Sequence, residues 1–334
     1  MKKLPLAVVQ RITDFESESG LSLPAYALEK DHMVLEVLKL IMSIPADPCF
    51  RFVFCGGTCL AKAYGVLERM SEDVDFKLVP TQAATSLTKT ALRQKLSAFV
   101  KKIVVDLQES EFGAISVNRR SLDESKYSAL DIQYESAFSK PISLRPHVLV
   151  ELNYAALQSP TQMVDVGLLL DKLFLGTYQS PIKIECVSLL EALAEKLVAF
   201  PRRLSLQIER SLHLHPEQDE NWDKSLVRHL YDVSQIIAQH FMTQSESLEL
   251  ARIVSVVLKS DALEFASQHP KFFSDPYGQM EMAMAWAANS AALQSQYESF
   301  VEDMVYAPAE RKPKFQKALT IFTSALTGAT VGKR

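Results

Sequence analysis

Residues 55–76 read CGGTCLAKAYGVLERMSEDVDF, and the main features of the predicted fold follow from this segment. It follows residues 51–54, an aromatic and β-branched run that predicts a buried strand. Gly56 and Gly57 permit a tight turn and let a ligand approach bare backbone. Thr58 suits the N-cap of a helix, whose apolar residues recur at helical spacing: Leu60, Ala63, Tyr64 and Leu67. A strand, a Gly-Gly turn and a helix start in this order predict a phosphate cradle of free N–H groups.

Two carboxylates follow at the end of the same stretch. Asp73 and Asp75 flank Val74 at the start of a second predicted strand, 74–79. Residues two apart on a strand share a face, so the two carboxylates point together. Adjacent carboxylates beside a phosphate cradle are natural ligands for magnesium. Either motif alone is common in ordinary turns and strand ends, but the two joined by one short helix predict a nucleotide and metal site.

A third acid interrupts the strongly apolar strand predicted over 147–154. Glu151 lies in its middle, where a carboxylate is too costly to bury without a cation or another partner. If this strand pairs beside the strand of Asp73 and Asp75, Glu151 becomes a third metal ligand. The alternative is an acid at a wet sheet edge.

These segments resemble the AbiEii (MenT-like) toxin family of the polymerase-β-type nucleotidyltransferase superfamily. The matching segments are Gly56-Gly57-Thr58, Lys62-Ala63-Tyr64, Arg69 and the run 71–76. The resemblance implies that Mg²⁺ is held by Asp73, Asp75 and Glu151. It also implies that an NTP is the substrate, with its phosphates held by Gly56, Gly57 and Thr58.

Two segments of the second half extend the resemblance. Residues 191–197 are similar to a Glu-x-x-Ala-Glu-Lys-Leu segment of the family, which implies that Lys196 neutralises triphosphate charge and helps pyrophosphate to leave. Taken alone, such a lysine is simply solvated. Residues 228–233 resemble the family's Arg-Asp-x-Tyr-Asp-Leu motif, and the likeness makes Asp232 a partner of Lys196 or a nucleotide contact.

That second motif departs from the family at one position. His229 stands where the first Asp is usual. Arg228 and Asp232 are one helical turn apart, and this spacing alone predicts a structural ion pair between them.

A charged cluster lies near the start of a helix predicted over 26–43. Residues 29–32, Glu-Lys-Asp-His, resemble the family's Glu-Lys-Asp-Tyr motif. The favoured interpretation is a charged first turn on a packing helix, and a direct catalytic role is the alternative.

The composition limits the partners and the compartment. With 48% hydrophobic and 23% charged residues, the 334-residue chain is typical of soluble globular proteins. No apolar run reaches membrane-spanning length and no signal-peptide core follows the start, so we expect a cytoplasmic protein without a membrane partner. Cys49, Cys55, Cys59 and Cys186 lack paired zinc spacing, which indicates packed reduced thiols.

The net charge of −4 means that any nucleic acid must meet a local basic patch. A long helix predicted over 81–109 carries five basic residues, which are either solvated or contact nucleic acid: Lys89, Arg93, Lys95, Lys101 and Lys102. His213 and His215 lie in an acidic loop without a clear third ligand, and this makes a metal site there a weak hypothesis.

The predicted fold is α/β (α+β), a polymerase-β-type nucleotidyltransferase core with a mixed sheet and a helical C-terminal domain. Further strands are expected over 114–118, 129–134 and 182–186, with a helix over 162–177 between them. Ser188 is predicted to cap the first helix of the second half. The expected domains are an N-terminal helical lead (1–45), the core (46–185) and the helical domain (186–330).

The function that the resemblance implies is a magnesium-dependent transfer of a nucleoside monophosphate from an NTP to RNA, at the tRNA 3′ end. The protein would be the toxin of a type IV toxin–antitoxin (abortive infection) system, controlled by a separately encoded antitoxin. One alternative is transfer to a small molecule or a protein hydroxyl. The other is a non-catalytic interaction protein with a degenerate fold, against which the three clustered acids argue.

Overall fold

The structure is a computed structural model that describes residues 1–18, 23–112, 120–122, 126–139, 145–211, 222–240 and 242–330. The chain divides into two compact units. The first comprises Met1–Gly65 and Met70–Val187, and the second comprises Val66–Arg69 and Ser188–Arg334. The predicted lead, 1–45, belongs to the first unit together with the predicted core. The three-part domain division stays a prediction.

A mixed sheet forms the centre of the first unit. In the described part of the chain its strands are β1 (Phe50–Cys55), β2 (Asp73–Pro80), β3 (Arg120–Leu122), β4 (Tyr127–Gln133), β5 (His147–Tyr154), β6 (Gln162–Val166) and β7 (Ile182–Cys186). Their order is β3-β4-β5-β2-β1-β7-β6, with β2–β5 and β1–β7 parallel and the other pairs antiparallel. This mixed sheet confirms the predicted fold class. The strand predicted over 114–118 lies outside the described residues.

Six helices of the first unit lie within the described ranges: α1 (Leu6–Glu18), α2 (Ala25–Ser43), α3 (Gly56–Lys62), α4 (Gln82–Thr85), α5 (Lys89–Gln108) and α6 (Leu169–Leu175). Helix α5 buries its apolar stripe against the sheet. The ring of Phe99 lies 5.7 Å from that of Phe50 and 5.4 Å from that of Phe52, measured between centroids. Aromatic residues on alternate positions of β1 therefore anchor the strand that leads into α3.

Three predicted helices are wrong in extent. The helix expected over 162–177 is strand β6 followed by α6, because 162–166 pairs with β7 before Gly167 and α6 starts only at Leu169. The helix expected over 81–109 is broken into α4 and α5, since the Thr88 side chain accepts a hydrogen bond from the Ala91 N–H and starts a new helix. Helix α3 ends at Lys62, before the left-handed Gly65 (φ +64°).

The second unit is helical, as predicted. Its helices in the described ranges are α7 (Leu189–Arg210), α8 (Arg228–Gln239), α9 (Gln244–Glu264), α10 (Pro270–Ser274), α11 (Pro276–Asn289), α12 (Ala291–Met304) and α13 (Phe315–Thr330). The Ser188 side chain caps α7 by accepting from the Glu191 N–H. Helix α7 packs against α9 and α11, and α13 packs against α8 and α9. No helix among the described residues is both long and apolar enough to span a membrane.

The segment Val66–Arg69 belongs to this helical unit although it lies between α3 and β2 in the sequence. Arg69 forms an antiparallel β-bridge with Val305, and the Tyr306 N–H donates to the Glu68 carbonyl at 3.0 Å. The motif stretch 55–76 therefore contributes residues to both units.

Candidate active site

The Gly-Gly turn lies directly against one carboxylate of the first unit. β1 ends at Cys55 and the chain enters α3 at Gly56, whose φ of +76° lies in the left-handed region. The antiparallel register of β1 and β2 sets Cys55 opposite Asp75. A β-carbon at position 56 would stand 1.9 Å from Asp75 Oδ2, so glycine is required by both backbone conformation and space.

Three acids share one face of the sheet. In the parallel pairing of β2 with β5, Asp73 is opposite Leu149 and Asp75 is opposite Glu151. Paired residues of neighbouring strands project to the same face, and so do residues two apart on one strand. Asp73, Asp75 and Glu151 therefore project from the same face of the sheet, and each is half-buried. The strand pairing on which the role of Glu151 depends is present.

Asp73 and Glu151 each have a protein partner. Arg145 Nη1 donates to Asp73 Oδ1 at 2.5 Å, and the Tyr127 hydroxyl donates to Glu151 Oε1. In the part of the chain that the structure describes, no three His, Cys, Asp or Glu side chains converge closely enough to form a metal-binding group. The acids fit Mg²⁺ in donor type and shared face, and their role as its ligands stays a prediction.

Thr58 has a different local role from the predicted one. The N-cap of α3 is Cys55, because Gly56 and Gly57 already lie inside the helix, so the prediction that Thr58 is the cap is wrong. Thr58 is fully buried; its hydroxyl donates to the Asp73 carbonyl and lies 2.8 Å from Ser71 Oγ. The hydroxyl thus ties α3 to the start of β2. Phosphate binding by Gly56, Gly57 and Thr58 remains a prediction.

The charged cluster of α2 is buried, and the interpretation as a charged first turn is wrong. Helix α2 starts at Ala25, so these side chains follow its first turn and point into the unit. Glu29 accepts from the Ala137 N–H at 2.7 Å, and Asp31 accepts from Lys62 Nζ at 2.5 Å. The two sequence motifs that contain Asp31 and Lys62 therefore meet in a buried ion pair, which spacing alone does not reveal.

The second unit contains a buried cluster of two cations and one anion. Arg69 binds Asp232 with both Nε (2.7 Å) and Nη2 (2.8 Å), and Lys196 Nζ donates to Asp232 Oδ2 at 2.8 Å. Burial alone would raise the pKa of Asp232, but the charges of Arg69 and Lys196 outweigh it and hold the pKa below its usual value. Asp232 therefore contacts Lys196, one of its two predicted partners, and also binds Arg69.

Lys196 is not the solvated lysine that its helix alone suggests, since its side chain is only 13% exposed. Arg69 was missed as an ion-pair partner because it lies 163 positions from Asp232. One indication in the sequence that Arg69 matters is that it lies within residues 55–76.

His229 adds an uncharged ring beside this cluster. Its Nε2 lies 3.3 Å from Arg203 Nη1. Burial, followed by the charges of Lys196 and Arg203, lowers the pKa of His229 well below its usual 6.5. The ring is therefore neutral at pH 7. It stands at the position where the similar family motif has an Asp.

The remaining predicted features lie on the surface, in the core or outside the described residues. The cations of α5 are all exposed: Lys89, Arg93, Lys95, Lys101 and Lys102. The four cysteines are free thiols, as predicted. His213 and His215 lie outside the described residues.

One known family matches most of the chain. The profile of the nucleotidyl transferase AbiEii toxin family, assigned to type IV toxin–antitoxin systems, matches residues 45–321. Among solved structures, the chain is similar to the nucleotidyltransferase toxin MenT4 of Mycobacterium tuberculosis H37Rv, with 15% identity and a TM-score of 0.38 over 97% of this chain and 99% of that one. A search of curated proteins found no match.

Proposed function

Because this chain belongs to the AbiEii family of nucleotidyltransferase toxins of type IV toxin–antitoxin systems, we propose that it transfers a nucleoside monophosphate from an NTP to the 3′ end of tRNA, with magnesium. One observation carries the proposed catalytic site. The parallel register sets Asp75 beside Glu151, and the Asp75 carboxylate lies against the left-handed Gly56. Since the family is one of enzymes, a non-catalytic role is not retained.

In the proposed reaction an acceptor hydroxyl oxygen attacks the α-phosphorus of the NTP. The bond from that phosphorus to the oxygen bridging the β-phosphate breaks, and pyrophosphate leaves. Asp73, Asp75 and Glu151 would hold magnesium, which when bound supplies positive charge to the phosphates and makes the hydroxyl more acidic. One of these carboxylates takes the hydroxyl proton.

The turn would hold the phosphates through its main chain. Gly56 and Gly57 have no side chains to keep phosphate oxygens away from the backbone N–H groups. The Thr58 hydroxyl, bonded to the Asp73 carbonyl, keeps this backbone in place against β2. The phosphates would thus lie next to the carboxylates, because Asp75 itself contacts Gly56.

Lys196 would supply charge to the leaving pyrophosphate. It shares Asp232 with Arg69, so its ammonium is held beside a second cation, and charged donors of this kind also bind phosphate oxygens. Asp232 would hold the lysine side chain in one orientation, which is the positioning role that we propose for it.

The acceptor proposal depends on α5. Its five exposed cations lie on one helix of a protein with a net charge of −4, and phosphate contacts of Lys and Arg supply most of the affinity for nucleic acid. We propose that this helix binds the tRNA backbone. The reaction would then take place in the cytoplasm, under the control of an antitoxin protein that the type IV system supplies.

The proposal is tested by incubating the full chain with each α-labelled NTP and magnesium. The acceptors are tRNA, tRNA with an oxidised 3′-terminal ribose, RNA without tRNA, and no RNA. We expect labelled product with intact tRNA alone. Equal labelling of intact tRNA and of RNA without tRNA would contradict the tRNA proposal. Label on protein or on a small molecule in the absence of RNA would support the alternative acceptors.

A further inference from the structure

One arginine of the acidic face has no assigned role. Arg145 precedes β5 and donates through Nη1 to Asp73 Oδ1 at 2.5 Å. Its side chain is 44% exposed, whereas that of Asp73 is 21% exposed. The guanidinium therefore binds a predicted metal ligand from the solvent side.

The backbone of Arg145 is held on both sides by buried charges. Its N–H donates to Glu72 Oε2 at 3.0 Å, and its carbonyl accepts from Lys30 Nζ at 3.0 Å. The side chains of Lys30 and Glu72 are 1% and 4% exposed and lie 3.7 Å apart. Burying two charges is costly, and an ordinary loop does not need a buried ion pair to hold its backbone in place. The hydrogen bonds to Glu72 and Lys30 hold the Arg145 backbone in one position.

The surroundings of the guanidinium are acidic. Burial would lower the pKa of Arg145, but the carboxylates of Asp73, Glu72 and Glu151 together outweigh burial and raise it. Arg145 is thus permanently charged and interacts with two of the three acids of the shared face. These acids would otherwise repel one another across neighbouring strands.

We propose that Arg145 is a built-in counter-cation of the acidic face, which competes with a divalent metal ion for Asp73. The inference rests on the metal site of the proposed function. While the guanidinium binds Asp73, one ligand of the metal is occupied and the repulsion between the acids is reduced. A divalent ion that takes Asp73 Oδ1 as a ligand has to displace the guanidinium from that oxygen, and the affinity for the ion is correspondingly lower.

The test measures Mn²⁺ binding to the full chain from the paramagnetic resonance signal of the free ion, since Mn²⁺ takes the same oxygen ligands as magnesium. The variants are Arg145→Ala, Arg145→Lys, Asp75→Ala and Arg51→Ala. Arg51 is a matched control because it pairs with Glu185 on the same sheet and has the same 44% exposure. We expect Arg145→Ala to bind Mn²⁺ about tenfold more tightly than the wild type, since a charge-assisted hydrogen bond no longer competes. Arg145→Lys should be intermediate and Arg51→Ala unchanged.

A second readout is thermal unfolding of the same proteins. In EDTA, Arg145→Ala should melt several degrees below Arg51→Ala because the acids then repel one another, and saturating Mn²⁺ should remove the difference. Equal or weaker Mn²⁺ binding by Arg145→Ala would overturn the inference while the proposed function stands. Equal Mn²⁺ binding by the wild type and Asp75→Ala would instead overturn the metal site itself.

Discussion

The carboxylate of Asp75 occupies the space in which a side chain at position 56 would lie, with Oδ2 1.9 Å from the ideal β-carbon position of Gly56. The two residues belong to different elements, and only the antiparallel register of β1 and β2 brings them together. The Gly-Gly turn and the three acids are therefore packed together, and neither can shift without the other.

Replacing Gly56 by Ala should abolish transfer by displacing Asp75. Gly176 is a matched control, since its φ of +69° is also left-handed but its β-carbon would meet nothing within 4 Å. Each variant should lose about 1 kcal/mol of unfolding free energy from the backbone conformation. Only Gly56→Ala should lose activity, by about 100-fold or more, because misplacing a reacting group is costly. Labelled transfer and urea unfolding measure both effects; equal activity of the two variants would contradict the proposal.

Asp75→Asn should lose transfer activity by about 100-fold or more while keeping the fold, since the charge at the reacting centre is lost but the side-chain shape is retained. Its stability should stay equal or rise slightly because repulsion between carboxylates is relieved. Asp165→Asn is the control, an exposed acid on β6 of the same sheet. It should have wild-type activity. Transfer at the wild-type rate by Asp75→Asn in magnesium would exclude the proposed mechanism.

Lys196→Ala should reduce transfer by about 100-fold or more, because a cation on the leaving group is lost. It should also cost about 1 to 3 kcal/mol of unfolding free energy, since a charge-assisted hydrogen bond in a mostly buried site is removed. The control is Lys259→Ala, an exposed lysine of α9, whose stability should change by less than about 0.5 kcal/mol. Retained activity with lowered stability would show that Lys196 serves packing alone.

Asp232→Ala should be more destabilising than Lys196→Ala. It leaves the buried guanidinium of Arg69, 3% exposed, without its bidentate partner. Breaking a buried pair in this way costs about 3 to 5 kcal/mol. Urea unfolding measures the loss of unfolding free energy in both variants. A smaller loss for Asp232→Ala than for Lys196→Ala would contradict the prediction.

His229 should make stability fall in mild acid. Its pKa is lowered in the folded protein, so below about pH 6.5 the unfolded chain binds a proton that the native ring does not. Unfolding free energy should therefore be unaffected by this group above that pH and decrease as pH falls beneath it. Urea unfolding between about pH 5 and 7.5 should give a shallower pH dependence for His229→Asn than for the wild type. Identical pH profiles would show that His229 has the same pKa in the folded and unfolded states, which would contradict a neutral buried ring.

Charge reversal on α5 should weaken tRNA use in a salt-dependent way. The variant carries Lys95→Glu, Lys101→Glu and Lys102→Glu, and the control carries the same change at three other exposed lysines: Lys259, Lys314 and Lys317. Each lost phosphate contact should reduce the slope of log affinity against log salt by about 0.7 to 0.9. KM for tRNA across a salt series measures the slope, and KM for the NTP should stay constant. A larger change in the KM for tRNA in the control variant would indicate that tRNA binds the helical unit instead.

The strands and the acids of the first unit could be predicted from the sequence because their signals are local. An apolar run before Gly56 and a carboxylate inside an apolar run at Glu151 each indicate their own element. The end of α3 and the strand at 162–166 were missed, since a left-handed glycine and an edge pairing with β7 overrode helical spacing.

The side-chain partners could not be predicted, for a different reason. Arg69 and Asp232, or Arg145 and Asp73, meet only after the chain has folded, and spacing along the sequence contains no information about such distant pairs. The buried Lys30 was likewise assigned to a charged first turn, because a charge has no periodic signature that distinguishes burial from exposure.

The membership of Val66–Arg69 in the helical unit has a consequence for biosynthesis. During translation, Arg69 leaves the ribosome long before Asp232, its partner 163 positions later. The helical unit is therefore not a continuous piece of the gene: it cannot be completed from the residues after Ser188 alone. Until the second half of the chain has been made, the nascent protein has to carry an arginine whose burial site does not yet exist.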